Sequence, residues 1–481
     1  MSLSLALGNA VTGLSATARM AEVVSANLAN ALTDGYGRRS VDLSPASLGG
    51  RGAGVRVDGL TRHVDRPLLA ERRGAEAQAE NRQALARGLS GVEGTLGRAE
   101  DGTTLSARLA ALEGALVSAS ADPASESRQS LVLDRLDRVA GTLREAASGV
   151  AQARAQADAD IAARVGGLNA DLSGIEGLNR DIVAALASRR DATGLMDQRQ
   201  VLVDRVAAVV PVREMDREGG AIALFTPQGA ALLDDRAAKV GFDPSPVVTA
   251  EMTLASGGLS GLTLNGRPMG PDGVGALGGG ALGAAFSLRD GTLPQAGAEL
   301  DALARDLIAR FADPAADPSL GAGAAGLLTD AGAPFDPLDA TGLASRIAVN
   351  AAVDPGRGGA LWRLRDGVGA SAPGPSGEGA QIARWLSALS APRALVAGGR
   401  PGGAAALAAG VEAGVAGRRL AAEEEAGFAT ARWSSLRDAE LAGGVDSDQE
   451  MQMLLVIEQA YAANARIVEV VESMMRTLME I

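Results

Sequence analysis

The two ends of the chain constrain it most. Leu3, Leu7, Ala10, Leu14, Thr17, Ala21, Val24 and Leu28 recur at alternating spacings of four and three, which is the heptad seam of a coiled-coil helix. At the far end Met453, Ile457, Ala460, Asn464, Ile467, Val471, Met474, Leu478 and Ile481 repeat that spacing. Leu454, Tyr461, Val468 and Met475 add a second stripe at intervals of seven. Together they give the last helix a broad apolar face. The first 33 residues carry two charges, Arg19 and Glu22, so the first helix is not built to stand alone in water. Each helix would be roughly 40 Å long at about 1.5 Å per residue. Matched lengths predict that residues 1–35 and 445–481 pair as one coiled coil. An ordinary domain closed by its terminal helices has the same periodicity. The scarcity of charge and the doubled stripe favour surfaces that become buried when copies meet.

Between the ends the chain must fold on Ala, Leu and Val, because 47% of its 481 residues are hydrophobic but only 2% aromatic. Those residues favour helices, so the fold class expected is mainly α: a coiled coil of terminal helices, a long-helix bundle body and a small inserted β-rich domain. Residues 36–208 read as the first part of the helical body. Asp122-Pro123 starts a long helix carrying Leu131, Leu136, Val139 and Leu143. A further helix covers about 152–188, weakened by Gly166, Gly167, Gly174 and Gly177. Residues 209–290 read as the β-rich insert: Val209, Val212 and Met215 face Ile222–Phe225 across a Gly-Gly turn, and Leu262-Thr263-Leu264 before Asn265-Gly266 is a strong hairpin signal. Residues 291–444 complete the body. A helix opens at Leu293-Pro294, residues 312–380 are loop-rich with a strand pair around 347–364, and helices cover 380–389 and 404–441.

Little chemistry is available to such a chain. There is no cysteine and a single histidine, His63, so thiolate sites and multi-histidine metal sites are excluded. No catalytic, cofactor-binding or metal-binding residue is expected. A net charge of -13 argues against nucleic-acid partners. His63, beside Arg62 and Asp65, reads as a surface histidine, and Glu423-Glu424-Glu425 as a solvated helix face. Asp234-Asp235 is one of the chance pairs that 58 acidic residues guarantee. Gly278-Gly279-Gly280 lacks the Lys-Ser/Thr of a phosphate loop. No apolar run of about 20 residues predicts a membrane span. The last helix lacks the basic border of a membrane-surface helix, so no membrane partner is expected. The N-terminus lacks the basic start of a secretory signal peptide.

Asn27-Leu28-Ala29-Asn30 followed by Asp34-Gly35-Tyr36-Gly37-Arg38-Arg39 resembles the start of the bacterial flagellar axial proteins, the rod, hook and hook-associated family. Asp34 stands where that family usually has proline. Gln459-Ala460-Tyr461-Ala462-Ala463-Asn464-Ala465-Arg466, with Gly444-Val445-Asp446 and Glu450 before it, resembles the family's C-terminal signature. Asp197-Gln198-Arg199, Leu202-Val203-Asp204, Val209–Val212, Gly283, Arg289-Asp290 and Leu293-Pro294 narrow the resemblance to the hook-associated branch at the hook–filament junction.

The resemblance implies a structural, non-enzymatic subunit that adds to the hook tip as a ring of identical copies. Its partners would be the hook protein, a second junction protein and an export chaperone on the C-terminal helix, and it would reach the extracellular flagellum without a cleaved signal. Self-assembly would use the seam Leu3, Leu7, Ala10, Leu14, Ala21, Val24 and Leu28. The turn motif is Asn27, Asn30, Gly35 and Tyr36. The assembly and chaperone face is Leu454, Ile457, Tyr461, Asn464, Ile467, Val468, Val471, Met474 and Leu478. The alternatives are another axial protein, the second junction protein or a hook subunit, or a secreted enzyme acting on peptidoglycan from a flagellar scaffold.

Overall fold

The computed structural model describes residues 3–48, 51–97 and 102–479, so Ile481 of the predicted seam lies outside the described residues. Twelve helices and eleven strands follow in chain order among them. The first half holds α1 (Leu3–Ala29), β1 (Arg38–Leu48), β2 (Arg51–His63), α2 (Arg66–Leu96), α3 (Leu105–Ala121), α4 (Glu126–Ala187) and α5 (Thr193–Val209). The insert holds β3 (Arg213–Asp216), β4 (Ile222–Phe225), β5 (Ala231–Asp234), β6 (Arg236–Ala237), β7 (Val240–Gly241), β8 (Thr263–Leu264) and β9 (Arg267–Pro268). Then come α6 (Gly280–Ser287), α7 (Leu293–Phe311), β10 (Leu328–Asp330), α8 (Leu343–Arg346), β11 (Ile347–Val349), α9 (Trp362–Asp366), α10 (Ala380–Ser390), α11 (Ala404–Ala442) and α12 (Ser447–Met479). The fold is mainly helical with small antiparallel sheets, as the composition required.

The spine is α4. Its first half buries Leu136, Val139, Ala140 and Leu143 against α3, α7 and α8, in a core that also takes in Phe311 and Trp385. Its second half buries Ile161, Val165, Leu168, Leu172 and Ile175 against α5, α6 and the insert's sheets. Two helices were expected where this single one runs, and the four glycines do not break it. Gly166, Gly167 and Gly177 face open space, while the buried row on the opposite face holds the backbone straight: packing outweighs a propensity penalty of about 1 kcal/mol per glycine. Asp122 is not the start of this helix. It ends α3, and Ser125 occupies the N-cap of α4. Leu131, expected on the buried face, is exposed.

The insert is tied to the spine where the two cores meet. Asp158 and Arg289, 1% and 0% exposed, pair at 2.6 Å. Arg289 also donates to Asp290 and to the Ser260 carbonyl, and its guanidinium lies 4.8 Å from the centre of the Phe286 ring. Arg154 donates to the carbonyls of Arg289, Thr249 and Met252. Within the insert, β3 pairs with β4, as the Arg217–Gly220 turn predicted. The Asn265-Gly266 turn joins β8 to β9 with φ of 51° and 79°, the positive pair that a tight hairpin needs.

Two further expectations need correction. The segment 36–64 is not helical: β1 and β2 form a long antiparallel hairpin, Arg38 opposite His63 and Val41 opposite Leu60. The strand pair expected around 347–364 is made instead by β11 with β10, a partner that lies before α8 in the chain. Finally α11 returns antiparallel along α2, with Arg82–Glu425 and Arg72–Glu440 as ion pairs, and so brings the chain back to the end of α1.

Candidate assembly site at the root of the terminal coil

α1 and α12 lie side by side and antiparallel: Asn27 meets Glu450 at one level and Gly13 meets Asn464 at another. α1 shows a second buried face to the β1–β2 hairpin. Asn9, Thr12, Ala16, Val23 and Asn27 share it by helical spacing. Thr12 accepts from the Val55 backbone at 3.3 Å, and a Cβ at Gly54 would sit 2.0 Å from the Thr12 hydroxyl. Hence Ala16 and Val23, off the predicted seam, are buried.

Of the predicted seam, Ala10 and Val24 are buried, Leu3, Leu7, Leu14 and Ala21 are half-buried, and Leu28 is exposed. On α12, Ile457 and Val471 are buried and Leu454, Asn464 and Val468 half-buried, but Tyr461, Ile467, Met474 and Leu478 are exposed. The broad face thus splits. One edge meets α1. The other, Val456, Ala463, Ile467, Val470, Met474 and Leu478, faces solvent, with exposures from 45% at Ile467 to 61% at Leu478 among its large residues.

Where the coil meets the body, α1 ends in a polar clasp. Asn27 is fully buried. Its amide donates to the Arg39 carbonyl (2.9 Å) and to Glu450 Oε2 (3.1 Å), and its oxygen accepts from the Tyr36 hydroxyl (2.8 Å) and the Arg39 N–H (3.0 Å). The Asn27 amide therefore closes the open edge of β1 as a neighbouring strand would. Glu450, 1% exposed, takes its second bond from Arg38 Nε at 2.7 Å. It sits in the first turn of α12, where a carboxylate complements the helix dipole. Asp446 caps that turn, accepting from the backbones of Asp448 and Gln449. Asn30 has a local task, its amide donating to the Ala26 carbonyl at the helix end.

Gly35 turns the chain with φ of 78°, and a Cβ there would lie 2.6 Å from Val201 Cγ2 and 3.0 Å from the Asp197 carbonyl, so only glycine fits. Beyond it Asp197 gathers three donors: the Gly37 N–H, Arg39 and Arg62. Arg62 also donates to the Gly35 carbonyl and to Gln200. The Arg39 guanidinium lies 4.8 Å from the centre of the Tyr36 ring. Burial pushes the Tyr36 phenol above its ordinary pKa, with Arg39 opposing and Asp197 and Glu450 adding to the rise.

Behind the clasp, Arg72 pairs with Glu76, Asp204 and Glu440, and Arg73 with Asp204 and Glu214. These pairs bind α2, α5, α11 and β3 together. Burial raises the carboxyls of Glu76 and Glu440 above their usual range, against the pull of Arg72.

The motif residues Asn27, Gly35 and Tyr36 thus converge with Glu450 and Asp197, while Asn30 stays apart. Arg62, Gln200 and Gly13 were not singled out by the sequence; the missed hairpin is what carries Arg62 to the clasp. His63 is exposed beside Ser40, and Glu423 and Glu425 pair with surface arginines. Among the described residues no three His, Cys, Asp or Glu side chains are grouped to hold a metal, and no helix is long and apolar enough to cross a membrane. The clasp holds two bodies in a fixed relation.

Residues 89–317 match the family described as the flagellar hook-associated protein FlgK helical domain, and residues 7–36 match the flagella basal body rod proteins. The chain is 27% identical over 242 residues to flagellar hook-associated protein 1 of Bacillus subtilis (strain 168), a match that spans 48% of each chain. The flagellar hook junction protein FlgK from Burkholderia pseudomallei is similar over 54% of this chain and 46% of its own, at 20% identity and a TM-score of 0.43. The rod-type match falls on α1 and the turn after it, and the helical-domain match runs from the end of α2 through the spine and the insert to α7, so over these two stretches the chain is similar to the flagellar rod and hook-associated proteins.

Proposed function

We propose that this protein is a structural subunit of the bacterial flagellum, placed outside the cell at the junction between hook and filament, and that it works as a building block with no catalytic step. Copies form a ring, the hook protein lies below, and a second junction protein follows. The observation that carries this reading is the solvent-facing stripe of α12. Val456, Ile467, Val470, Met474 and Leu478 sit at helical spacing on a helix already paired with α1. Exposed apolar surface of that extent marks an interaction site, and head-to-tail contacts between identical copies close into rings or helical arrays. The same stripe gives a chaperone something to cover before export. The body, reached through the clasp, sets the angle at which the coil enters the assembly.

Deleting the gene tests this reading. Cells should keep their hooks, lose their filaments and release filament subunits into the medium. Filaments still attached to hooks in the deletion strain would refute it.

A further inference from the structure

Gly13 and Asn464 face each other across the terminal coil. A Cβ at Gly13 would lie 2.8 Å from both amide atoms of Asn464 and 2.9 Å from its Cγ, so the Asn464 side chain occupies the space that a larger residue would fill. Its amide also donates to the Ala460 carbonyl at 3.0 Å, which fixes its direction. Asn27 lies fourteen residues after Gly13 and Glu450 fourteen residues before Asn464, and these two are hydrogen-bonded. Two polar contacts therefore sit two heptads apart on both helices, in one antiparallel register. Between them the seam residues are small or aliphatic: Thr17, Ala21 and Val24 on α1, and Leu454, Ile457 and Ala460 on α12. Such a seam repeats every seven residues and discriminates little between registers.

We propose that the Gly13–Asn464 and Asn27–Glu450 contacts are the register code of the terminal coil, selecting one antiparallel alignment among heptad-shifted ones. The alternatives are disfavoured residue by residue. A slip of one heptad in one direction sets Asn464 against Ala6 and Glu450 against Met20, leaving a buried carboxylate on an apolar side chain. The opposite slip sets Asn464 against Met20 and Asn27 against Ile457, and carries Glu450 past the end of α1 at Ala29, where the Asn27 amide no longer meets it. A buried polar residue in a coiled-coil seam has this use in general. Here it gives Asn464, which lies inside the C-terminal signature, a task distinct from the outer stripe.

The chain has no cysteine, so introduced pairs are its only thiols. In the full chain, Val24→Cys with Met453→Cys reports the observed register, and Val24→Cys with Ala460→Cys reports a one-heptad slip. Each pair is oxidised in the parent and in the Glu450→Ala, Asn464→Ala background, with helix content followed by circular dichroism. The parent should form at least about tenfold more of the first disulfide than of the second, and the background should bring the two within about twofold, with helicity kept. A tenfold preference that survives in the background overturns the proposal, as does a parent that fails to favour the first pair. Loss of helicity with neither disulfide formed also overturns it, since the contacts would then hold the coil together rather than align it. The inference deepens the reading of the coil as the assembly element. The cross-link needs no second subunit, so its failure is separable from that of the deletion experiment.

Discussion

Replacing Asn27 by Ala should undock the terminal coil while the body stays folded. The substitution removes four hydrogen bonds from a fully buried residue. Two partners recover: Glu450 keeps Arg38, and the half-buried Tyr36 hydroxyl can turn to water. The N–H and carbonyl of Arg39 do not, because they point away from β2 into the space that the Asn27 amide filled. A buried polar group left unsatisfied costs about 1–3 kcal/mol, so two such groups and the lost contact to Glu450 put the total at about 3–5 kcal/mol. At about 1.4 kcal/mol per tenfold, opening of the clasp rises by roughly two to three orders of magnitude. Hydrogen exchange of α1 amides or limited proteolysis between residues 30 and 38 reads this directly. Asn30→Ala is the control. The Ala26 carbonyl it serves still accepts from the Asn30 N–H, so that change should cost only about 0.5–1 kcal/mol. Equal effects from the two substitutions, or less than about tenfold from Asn27→Ala, would refute the reasoning.

Gly35→Ala should destabilise the same root by about 1–3 kcal/mol, from positive φ and a Cβ driven into Val201; an unchanged thermal midpoint would show that the turn is free to move. Ile467→Asp alters the exposed stripe and should abolish filament attachment with helix content intact. Val471→Asp strikes the buried side and should loosen the coil itself, so a motile Ile467→Asp strain would remove the stripe from the assembly surface. Acidification separates two sets of carboxyls. Glu76, Glu440 and Asp301 are raised chiefly by burial, so in their charged form they weaken the fold, and that penalty is relieved as pH falls through their raised values. Asp134 and Asp354 are lowered chiefly by hydrogen bonds from Arg138 and Arg357 and contribute stability that is lost only below the ordinary carboxylate range. The thermal midpoint should therefore hold or rise from neutral pH to about pH 5 and fall below about pH 4. A steady decline beginning at pH 7 in calorimetry would contradict this.

The parts of the fold that were legible are those where one local signal decides. Leu293-Pro294 opens α7 because proline suits a first helical turn, and Asn265-Gly266 makes its hairpin because both residues accept positive φ. The misread parts are those where distant packing overrides the local signal. The four glycines of α4 suggested a weak middle, yet the row from Ile161 to Ile175 is buried against α5 and the insert, and no window of sequence around residue 166 contains that information. The β1–β2 hairpin is hidden from a local reading for a related reason. Val41 and Leu43 alternate with Ser40, Asp42 and Ser44, but Pro45 and the glycines interrupt the pattern, and the register itself shifts at Asp42 and Pro45. Such a two-stranded ribbon is marginal alone; it persists here because α1 lies along it.

The same logic explains what the sequence could say about the site. Heptad spacing announces that a helix has an apolar side, and it announced both terminal helices. It does not say which edge of a broad stripe meets the partner, because neighbouring stripes on one helix satisfy the same period. Here the polar residues decide. Asn27 and Asn464 mark the side of each helix that turns inward, and so the aliphatic residues left outside, Ile467, Val470 and Met474, become the exposed ones. An asparagine in an apolar seam therefore told more about the orientation of these helices than the leucines around it. It could do so only once Glu450 and Gly13, hundreds of residues away in sequence, were seen opposite.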